Sequence, residues 1–483
     1  MSVRTGDQFR AGLDDGREVW YGGERVANVA TFPEFRAAVE SLAGLYDLQH
    51  DPTCRDVLVA HPQDFSDGIA RAFELPRNVD DLRFKREAYA LFARATCGMM
   101  GRSPDFLNVM LAALAAKRAF FAQLSEERAA AIEAYYRYVA GNDLFMTHAL
   151  LDPQLDKSLL RHEQADPDIP LKVTAETQDG LILNGIKRIA TAAPYADELL
   201  VWPFPPTFRP GEEAYATVFA VPMNTPGLKT LCRASFASAD EIADHPLSAR
   251  FDEMDATVVF KDVLVPWDRV FLHGDIELLN RMYADSRMRE LTAHQTNVRL
   301  EVKLGFVYGL LNRMAEALGI AARPDVAELL GEAAVRLEVI RSTVRAAEQQ
   351  ATVDPGNGIC YPYLPPLQAG RALGPVYYPE LVRMLRVIGG GGLVQQPLTM
   401  REFDSPVAAD LERSLRGAHI SGEQKAQLMK LAWDLCGTEF GARHELYEMN
   451  YAGERRMLVA GIQREFLRKQ EYLDYVDEFV EAL

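Results

Sequence analysis

Lys172-Val-Thr-Ala-Glu-Thr177-Gln178-Asp179-Gly180-Leu181-Ile-Leu-Asn184-Gly185 is the stretch on which the fold turns. Two short strand-like runs flank the turn signal Gln178-Asp179-Gly180, and a second turn signal, Asn184-Gly185, follows them. Further runs of the same texture lie downstream: Leu199-Leu-Val-Trp202, Ala216-Thr-Val-Phe-Ala-Val221 and Ala256-Thr-Val-Val-Phe260, with Asn224-Thr225-Pro226-Gly227 as another turn. Hairpins in succession predict an antiparallel sheet that ends near Val265-Pro266-Trp267-Asp268. Upstream, to about Gly141, the texture is helical. Phe35–Tyr46 and Leu82–Met99 carry apolar residues at three and four spacing, and Asn108–Tyr138 is rich in helix formers. Pro104 should open a helix with Ser103 as its cap. After about Asp275 the helical period returns, with Val326, Leu330, Ala333, Leu337, Ile340 and Val344 as one apolar stripe. Tyr361–Pro379 reads as a Pro/Gly-interrupted connection, and Gly389-Gly390-Gly391-Gly392 breaks the texture again. The expected architecture is therefore α+β and mostly α: a helical part (1–148), a β part (149–274) and a second helical part (275–483).

The chain of 483 residues has room for about three domains. Its net charge of −17 and the lack of a long basic block exclude a nucleic-acid partner. No apolar run approaches the roughly 20 residues of a spanning helix. The polar stretch Met1–Asp14 does not read as a signal peptide, and five scattered cysteines without a CxxC pair suit a reducing compartment. The expectation is a cytoplasmic protein with no membrane partner.

The motifs narrow the chemistry by elimination. No HExxH, GxSxG, GxGxxG or Walker loop is present, so zinc protease, serine hydrolase, Rossmann and kinase readings lose their support. His50, His61, His162, His245 and His273 read as solvated or core histidines, and no metal is expected. His148 lies where helical texture gives way to sheet. Pockets form at such junctions, and imidazole titrates near neutrality, so it is a candidate acid or base; the alternative is a buried histidine capping the preceding helix. Arg102, just before a proline-initiated helix, could present a guanidinium to an anion or form an ordinary ion pair. Thr191-Ala192-Ala193-Pro194 offers a hydroxyl and small residues that let a flat ligand approach.

Four segments together carry a resemblance. They are Gly98-Met-Met-Gly101-Arg102-Ser-Pro104-Asp-Phe106, Thr147-His148-Ala-Leu-Leu-Asp152-Pro153-Gln154-Leu-Asp156-Lys157, Gly185-Ile-Lys187-Arg-Ile-Ala-Thr191-Ala192-Ala193, and Trp433-Asp434-Leu-Cys-Gly-Thr-Glu439-Phe440-Gly441-Ala-Arg443-His-Glu445-Leu-Tyr447-Glu448. In this order and spacing they resemble the 4-hydroxyphenylacetate 3-hydroxylase family of reduced-flavin-dependent monooxygenases over nearly the whole chain. The resemblance implies an acyl-CoA dehydrogenase-like fold: an N-terminal helical domain, a middle antiparallel β-barrel-like domain and a C-terminal four-helix bundle that mediates a homotetramer (or dimer). A related branch binds an iron–sulfur cluster and dehydrates 4-hydroxybutyryl-CoA. Of its four ligand positions this chain keeps Cys97 and His294 but has Gly101 and Glu301 at the other two, too few for a cluster normally held by four.

The family's chemistry is implied with it. FADH2 from a separate NAD(P)H flavin reductase reacts with molecular oxygen to a C4a-hydroperoxyflavin, which hydroxylates a phenol ortho to its hydroxyl group. The resemblance makes Arg102 and His148 catalytic, with Arg102, Phe106, His148 and Ala193 against the substrate. It puts His148, Gln154, Asp156, Lys157, Thr191, Gly391 and the segment Tyr451-Ala452-Gly453 against FAD. Phe106 departs from the tyrosine common in relatives, which removes a hydroxyl and leaves the phenol open, free or carrier-tethered. Alternatives on the same fold are a flavin oxidase or dehydrogenase, and a monooxygenase that displaces halide or nitro groups.

Overall fold

The computed structural model describes residues 3–204, 207–237, 242–451 and 453–483. The first hairpin forms as expected: strand Lys172–Glu176 turns into strand Gly180–Thr191, and Thr177 Oγ1 accepts from the N–H groups of Asp179 (3.2 Å) and Gly180 (3.1 Å). Asn184-Gly185, however, is not a turn. The strand runs through it, with Gly185 at φ +126° opposite Phe260, and a Cβ at that position would lie 2.6 Å from Leu171 Cα. The glycine marks close approach of two backbones inside a strand, a signal that a turn reading of Asn-Gly mistakes.

Two sheets result. The six-stranded sheet has the order Glu24–Arg25, Glu18–Tyr21, Leu228–Cys232, Asp255–Pro266, Gly180–Thr191, Lys172–Glu176. The four-stranded sheet has the order Val270–His273, Thr217–Pro222, Glu198–Val201, Met146–Ala149. Burial alternates along strand Asp255–Pro266 through Ala256, Val258 and Phe260. It resumes at Val263 and Val265 after a register shift, as a bulged strand with one core face requires. The hairpin pairs are antiparallel, but two pairs are parallel: Glu18–Tyr21 with Leu228–Cys232, and Met146–Ala149 with Glu198–Val201. Both parallel partners come from the segment before residue 150, so the first 150 residues supply strands to the sheets as well as helices.

Of the N-terminal helices Pro33–Leu48, Val79–Ala95, Pro104–Ala116 and Glu126–Asn142, Pro104–Ala116 and Glu126–Asn142 pack on the four-stranded sheet, and Val79–Ala95 packs on helix Met288–Ala317. Ser103 occupies the cap position ahead of Pro104, yet its hydroxyl donates to Asp105 Oδ1 at 2.6 Å and makes no cap bond. Helices Met288–Ala317, Pro324–Gln349, Leu364–Gly389 and Gly422–Cys436 pack together through Leu304, Val307, Ile340, Leu381, Leu385 and Met429. The expected connection at Tyr361–Pro379 is instead mostly helix, with Pro375 and Pro379 inside it. Gly370 and Gly374 explain why packing overrides the local signal: a Cβ at Gly370 would collide with Asn297 and one at Gly374 would sit 2.9 Å from Leu300, so this helix lies tightly on Met288–Ala317. The glycine run does end the helix, at Gly389. Among the described residues no helix is long and apolar enough to cross a membrane.

Candidate active site

The site begins at the bend that precedes helix Pro104–Ala116. Gly101 has no side chain because Tyr447 fills the space, and a Cβ there would collide with the Tyr447 hydroxyl. That contact also excludes a cysteine side chain from this position. The next residue, Arg102, is 8% exposed, and its backbone N–H donates to Glu253 Oε1 at 2.6 Å. Its guanidinium lies over the Phe106 ring (4.4 Å) and the Tyr451 ring (4.5 Å), and Nη1 donates to Tyr447 Oη at 3.0 Å. Nε is buried without a hydrogen-bond partner. Among the described residues no carboxylate makes an ion pair with this guanidinium, so its charge is held by aromatic faces and by neutral oxygens. A buried cation with a free donor is set to receive an anion.

His148 faces the same space from strand Met146–Ala149, in register with Leu200. Its ring meets Phe106 at 6.2 Å and Trp202 at 5.5 Å, both edge-on, and Nδ1 is buried with no partner. Burial, reinforced by the Arg102 charge, holds the imidazole well below its ordinary pKa. It is therefore neutral near pH 7, with Nδ1 open to a hydrogen-bond partner. Alternation along the strand points its neighbour Thr147 the other way, where Thr147 Oγ1 donates to the Thr191 carbonyl.

Two buried charge networks fix this geometry. Glu253, fully buried, holds Arg102 N with one oxygen and Arg443 Nη1 (3.2 Å) with the other. Arg443 also grips Asp255 Oδ1 at 2.8 Å, and Asp255 accepts from Arg233 (3.0 Å) and the Thr191 hydroxyl (2.7 Å). Burial opposes ionisation of Asp255, but Arg443 and Arg233 hold its carboxyl below the usual carboxylate range. Behind Tyr451, whose other cation contact is Arg299 at 4.6 Å, Arg299 pairs with Glu448 at 2.7 and 2.9 Å, and Lys303 joins Glu448 at 2.8 Å. Burial pulls Lys303 down to about 8; Glu448, which burial alone would raise, is held at about 2 by Arg299 and Lys303. Arg299 Nη1 also donates to the Gly98 carbonyl at 2.9 Å, tying this network to the bend that carries Arg102.

Of the residues expected in the site, Arg102, Phe106, His148 and Tyr451 converge. Gln154, Asp156 and Lys157 lie exposed on the segment that leaves the His148 strand, where Asp156 Oδ1 accepts from Ser158 N at 2.9 Å. Gly453, at φ +92°, sits 4.0 Å from Phe204 by its would-be Cβ, and Ala452 lies outside the described residues. Thr191 is buried with its hydroxyl committed to Asp255. Ala193 is fully buried in a different hydrophobic cluster from Phe106. Gly391 is exposed beyond the helix end that its run creates. Trp202, Glu253 and Tyr447 complete the surroundings without a local sequence signal for a role: Trp202 ends a strand-like run, and nothing local marks Glu253. Among the described residues no three His, Cys, Asp or Glu side chains form a metal-ligand group.

Residues 5–272 match the 4-hydroxyphenylacetate 3-hydroxylase N-terminal family model, and residues 279–481 match the C-terminal model. The chain belongs to the 4-hydroxyphenylacetate 3-hydroxylase family. Among relatives in this family, the 4-hydroxyphenylacetate 3-monooxygenase oxygenase component of Thermus thermophilus is 38% identical over 454 residues, 94% of this chain and 92% of that protein. A Streptomyces globisporus monooxygenase, named for a (3S)-3-amino-3-(3-chloro-4-hydroxyphenyl)propanoyl group on a peptidyl-carrier protein, is 35% identical and spans 93% of this chain and 85% of its own length. A crystal structure of a 4-hydroxyphenylacetate 3-monooxygenase oxygenase component with FAD and 4-hydroxyphenylacetate superposes at TM-score 0.94 with 36% identity, covering 99% of this chain and 98% of that one.

Proposed function

We infer that this chain is the oxygenase component of a two-component monooxygenase, hydroxylating a phenol ortho to its hydroxyl group at the expense of FADH2 and molecular oxygen. The observation that carries the reading is the pairing of an unpaired, ring-sandwiched Arg102 guanidinium with a neutral His148 across one aromatic space. The free Arg102 Nε and the unpartnered His148 Nδ1 fit a flat ligand bearing an oxygen anion, as both a phenolate and a reduced flavin ring do. FADH2 with O2 supplies one oxygen atom to the ring and releases the other as water, leaving FAD.

The chain's own residues do the rest. His148 takes the phenol proton; Arg102 holds the resulting phenolate, whose raised ring electron density favours attack at the ortho carbon. Phe106, Trp202 and Tyr451 wall the space and exclude water. Ala193 is assigned to the substrate's surroundings by family membership alone. His148, Gln154, Asp156, Lys157, Thr191, Tyr451 and Gly453 are the residues proposed to hold FAD. Gly391, which is exposed, is assigned to FAD by family membership alone.

The substrate class is a phenol, free or bound to a carrier protein; the Streptomyces globisporus relative's name supports the second option. A separate NAD(P)H flavin reductase supplies FADH2. Helix Lys469–Glu481 buries no residue and carries Tyr472, Tyr475, Val476, Phe479 and Val480 exposed, which supports a homotetramer (or dimer) built through the C-terminal helices. Five free cysteines support a cytoplasmic location. The test is to mix protein and FADH2 anaerobically, admit O2 with a panel of phenols, and read product masses. A product heavier by one oxygen on the ring is expected. Hydrogen peroxide with no oxygenated product from any phenol would refute oxygen transfer, a protein that purifies yellow with tightly held FAD would point to an oxidase or dehydrogenase, and loss of halide or nitrite would make it a displacing monooxygenase.

A further inference from the structure

The segment that leaves the His148 strand holds no helix or strand between Asp152 and Leu160. Among the described residues, the hydrogen bonds of residues 153–160 reach no further than Glu163 and Gln164, so they do not fasten the segment to the body of the protein. Its two ends do. Asp152 Oδ2 accepts from Arg161 Nε at 2.7 Å, and this ion pair closes about ten residues into a compact surface loop with neighbouring ends. Gln154, Asp156 and Lys157 stand exposed inside that loop.

Both ends are anchored by buried charge. Asp152 Oδ1 accepts from Lys187 Nζ at 2.7 Å, and the same ammonium donates to the Leu150 carbonyl at 3.2 Å. Lys187, on strand Gly180–Thr191, is 2% exposed. Arg161 Nη1 donates to Glu212 Oε1 at 3.2 Å, its backbone N–H reaches the same oxygen at 3.4 Å, and its guanidinium lies 4.2 Å from the centre of the Phe208 ring. Glu212 is fully buried, and its Oε2 accepts from Arg209 N at 3.0 Å. Charges thus alternate in sign from Lys187 through Asp152 and Arg161 to Glu212, and they balance. Burial opposes ionisation of Asp152, but Lys187 and Arg161 hold its carboxyl below the ordinary range. The Phe204 N–H, just beyond Trp202, donates to the Leu150 carbonyl at 3.2 Å, which ties the stretches leaving His148 and Trp202 to each other beside the site. Desolvation offsets most of the attraction in pairs as buried as these, so their main effect is to fix where the loop stands.

We propose that Arg161, with Asp152 and Glu212, positions the flavin-binding loop: the ion pairs hold residues 152–161 closed, so that Gln154, Asp156 and Lys157 meet the cofactor already ordered. This rests on the monooxygenase reading, in which the loop touches FAD. The three residues act on flavin affinity and not on the reacting atoms. An unclamped loop has to be ordered at each binding event, and that cost is subtracted from the affinity.

The experiment compares full-length wild type with Arg161→Gln/Glu212→Gln, which removes one charge of each sign and leaves Asp152 paired with Lys187. It reads Tm, the rate of tryptic cleavage after Lys157, and the dissociation constants of FAD and, anaerobically, of FADH2. Expected are a Tm within a few degrees of wild type, cleavage faster by about tenfold or more, and dissociation constants raised roughly 10–100-fold, the weight of one or two charge-assisted hydrogen bonds. If the double variant does not fold, Arg161→Lys decides: it keeps the charge but loses the two-nitrogen fork, and flavin affinity should still fall several-fold. Unchanged cleavage overturns the proposal. So does unchanged flavin affinity in a variant whose loop is cut faster, even while the wild type hydroxylates phenols. A wild type with no affinity for FAD or FADH2 overturns the monooxygenase reading itself, and the proposal with it.

Discussion

Replacing Arg102 by methionine separates a catalytic cation from a structural one. In the folded protein this guanidinium gains two ring contacts, worth roughly 0.5–2 kcal/mol each, and one hydrogen bond to Tyr447, worth roughly 1 kcal/mol. Against this stands the cost of burying a charge without a counter-ion, several kcal/mol in a protein interior. The two sides nearly cancel, and methionine keeps much of the volume. Arg102→Met should therefore change folding stability by no more than about 1 kcal/mol in either direction. Activity should behave otherwise. Loss of a preorganised cation aimed at developing negative charge costs roughly 10²–10³-fold in rate, or about 2.7–4 kcal/mol. Urea denaturation measures the first quantity, and single-turnover hydroxylation with premixed FADH2 the second. A variant destabilised by more than about 3 kcal/mol, or one that keeps a third of wild-type activity, would refute the reasoning: the guanidinium would then be a packing element.

Three further outcomes follow from the same geometry. Phe106→Tyr adds a hydroxyl next to Arg102 and His148, so it should leave Tm within a few degrees of wild type and shift relative kcat/KM across a phenol panel by several-fold; an unchanged ranking of phenols would remove position 106 from substrate choice. His148 and His444 are both held well below their ordinary value, first by burial, then by Arg102 and by Lys303 respectively. Their folded pKa lies under the unfolded one near ~6.5, so their contribution is complete above that pH and is lost as pH falls towards the folded values. Unfolding should take up to about one extra proton per histidine, a slope of about 1.4 kcal/mol per pH unit each, and His444→Leu should flatten the curve. Glu448→Gln leaves Arg299 and Lys303 buried without their carboxylate, at a cost of about 3–5 kcal/mol read by denaturation, whereas an exposed pair such as Arg313–Glu316 should yield less than about 1 kcal/mol.

The candidate site was legible where chemistry is local and illegible where it is assembled. Arg102 before a proline-initiated helix and His148 at a change of texture stood out as candidates, but their neighbours left an ordinary ion pair and a buried capping histidine open, and only the family resemblance gave them roles; both face one space. Glu253, Trp202 and Tyr447 could not: each lies far along the chain from Arg102, and its role is a contact made only after three layers pack. The Thr191 hydroxyl illustrates the converse. A small polar residue at the end of a strand looks available, but its partner Asp255 is a neighbour only across the sheet.

Composition and periodicity by themselves determined the helical–sheet–helical order, the main strand segments and the apolar stripe of Pro324–Gln349, because these depend on spacings of two and of three to four residues along one chain segment. Tertiary structure alone decided the parallel pairings of Glu18–Tyr21 and Met146–Ala149, the survival of a helix across Pro375 and Pro379, and the strand continuing through Asn184-Gly185. In each of these, packing or a pairing partner distant in sequence outweighs a local preference of about 1–3 kcal/mol, and a preference of that size is all that a short stretch of residues can express.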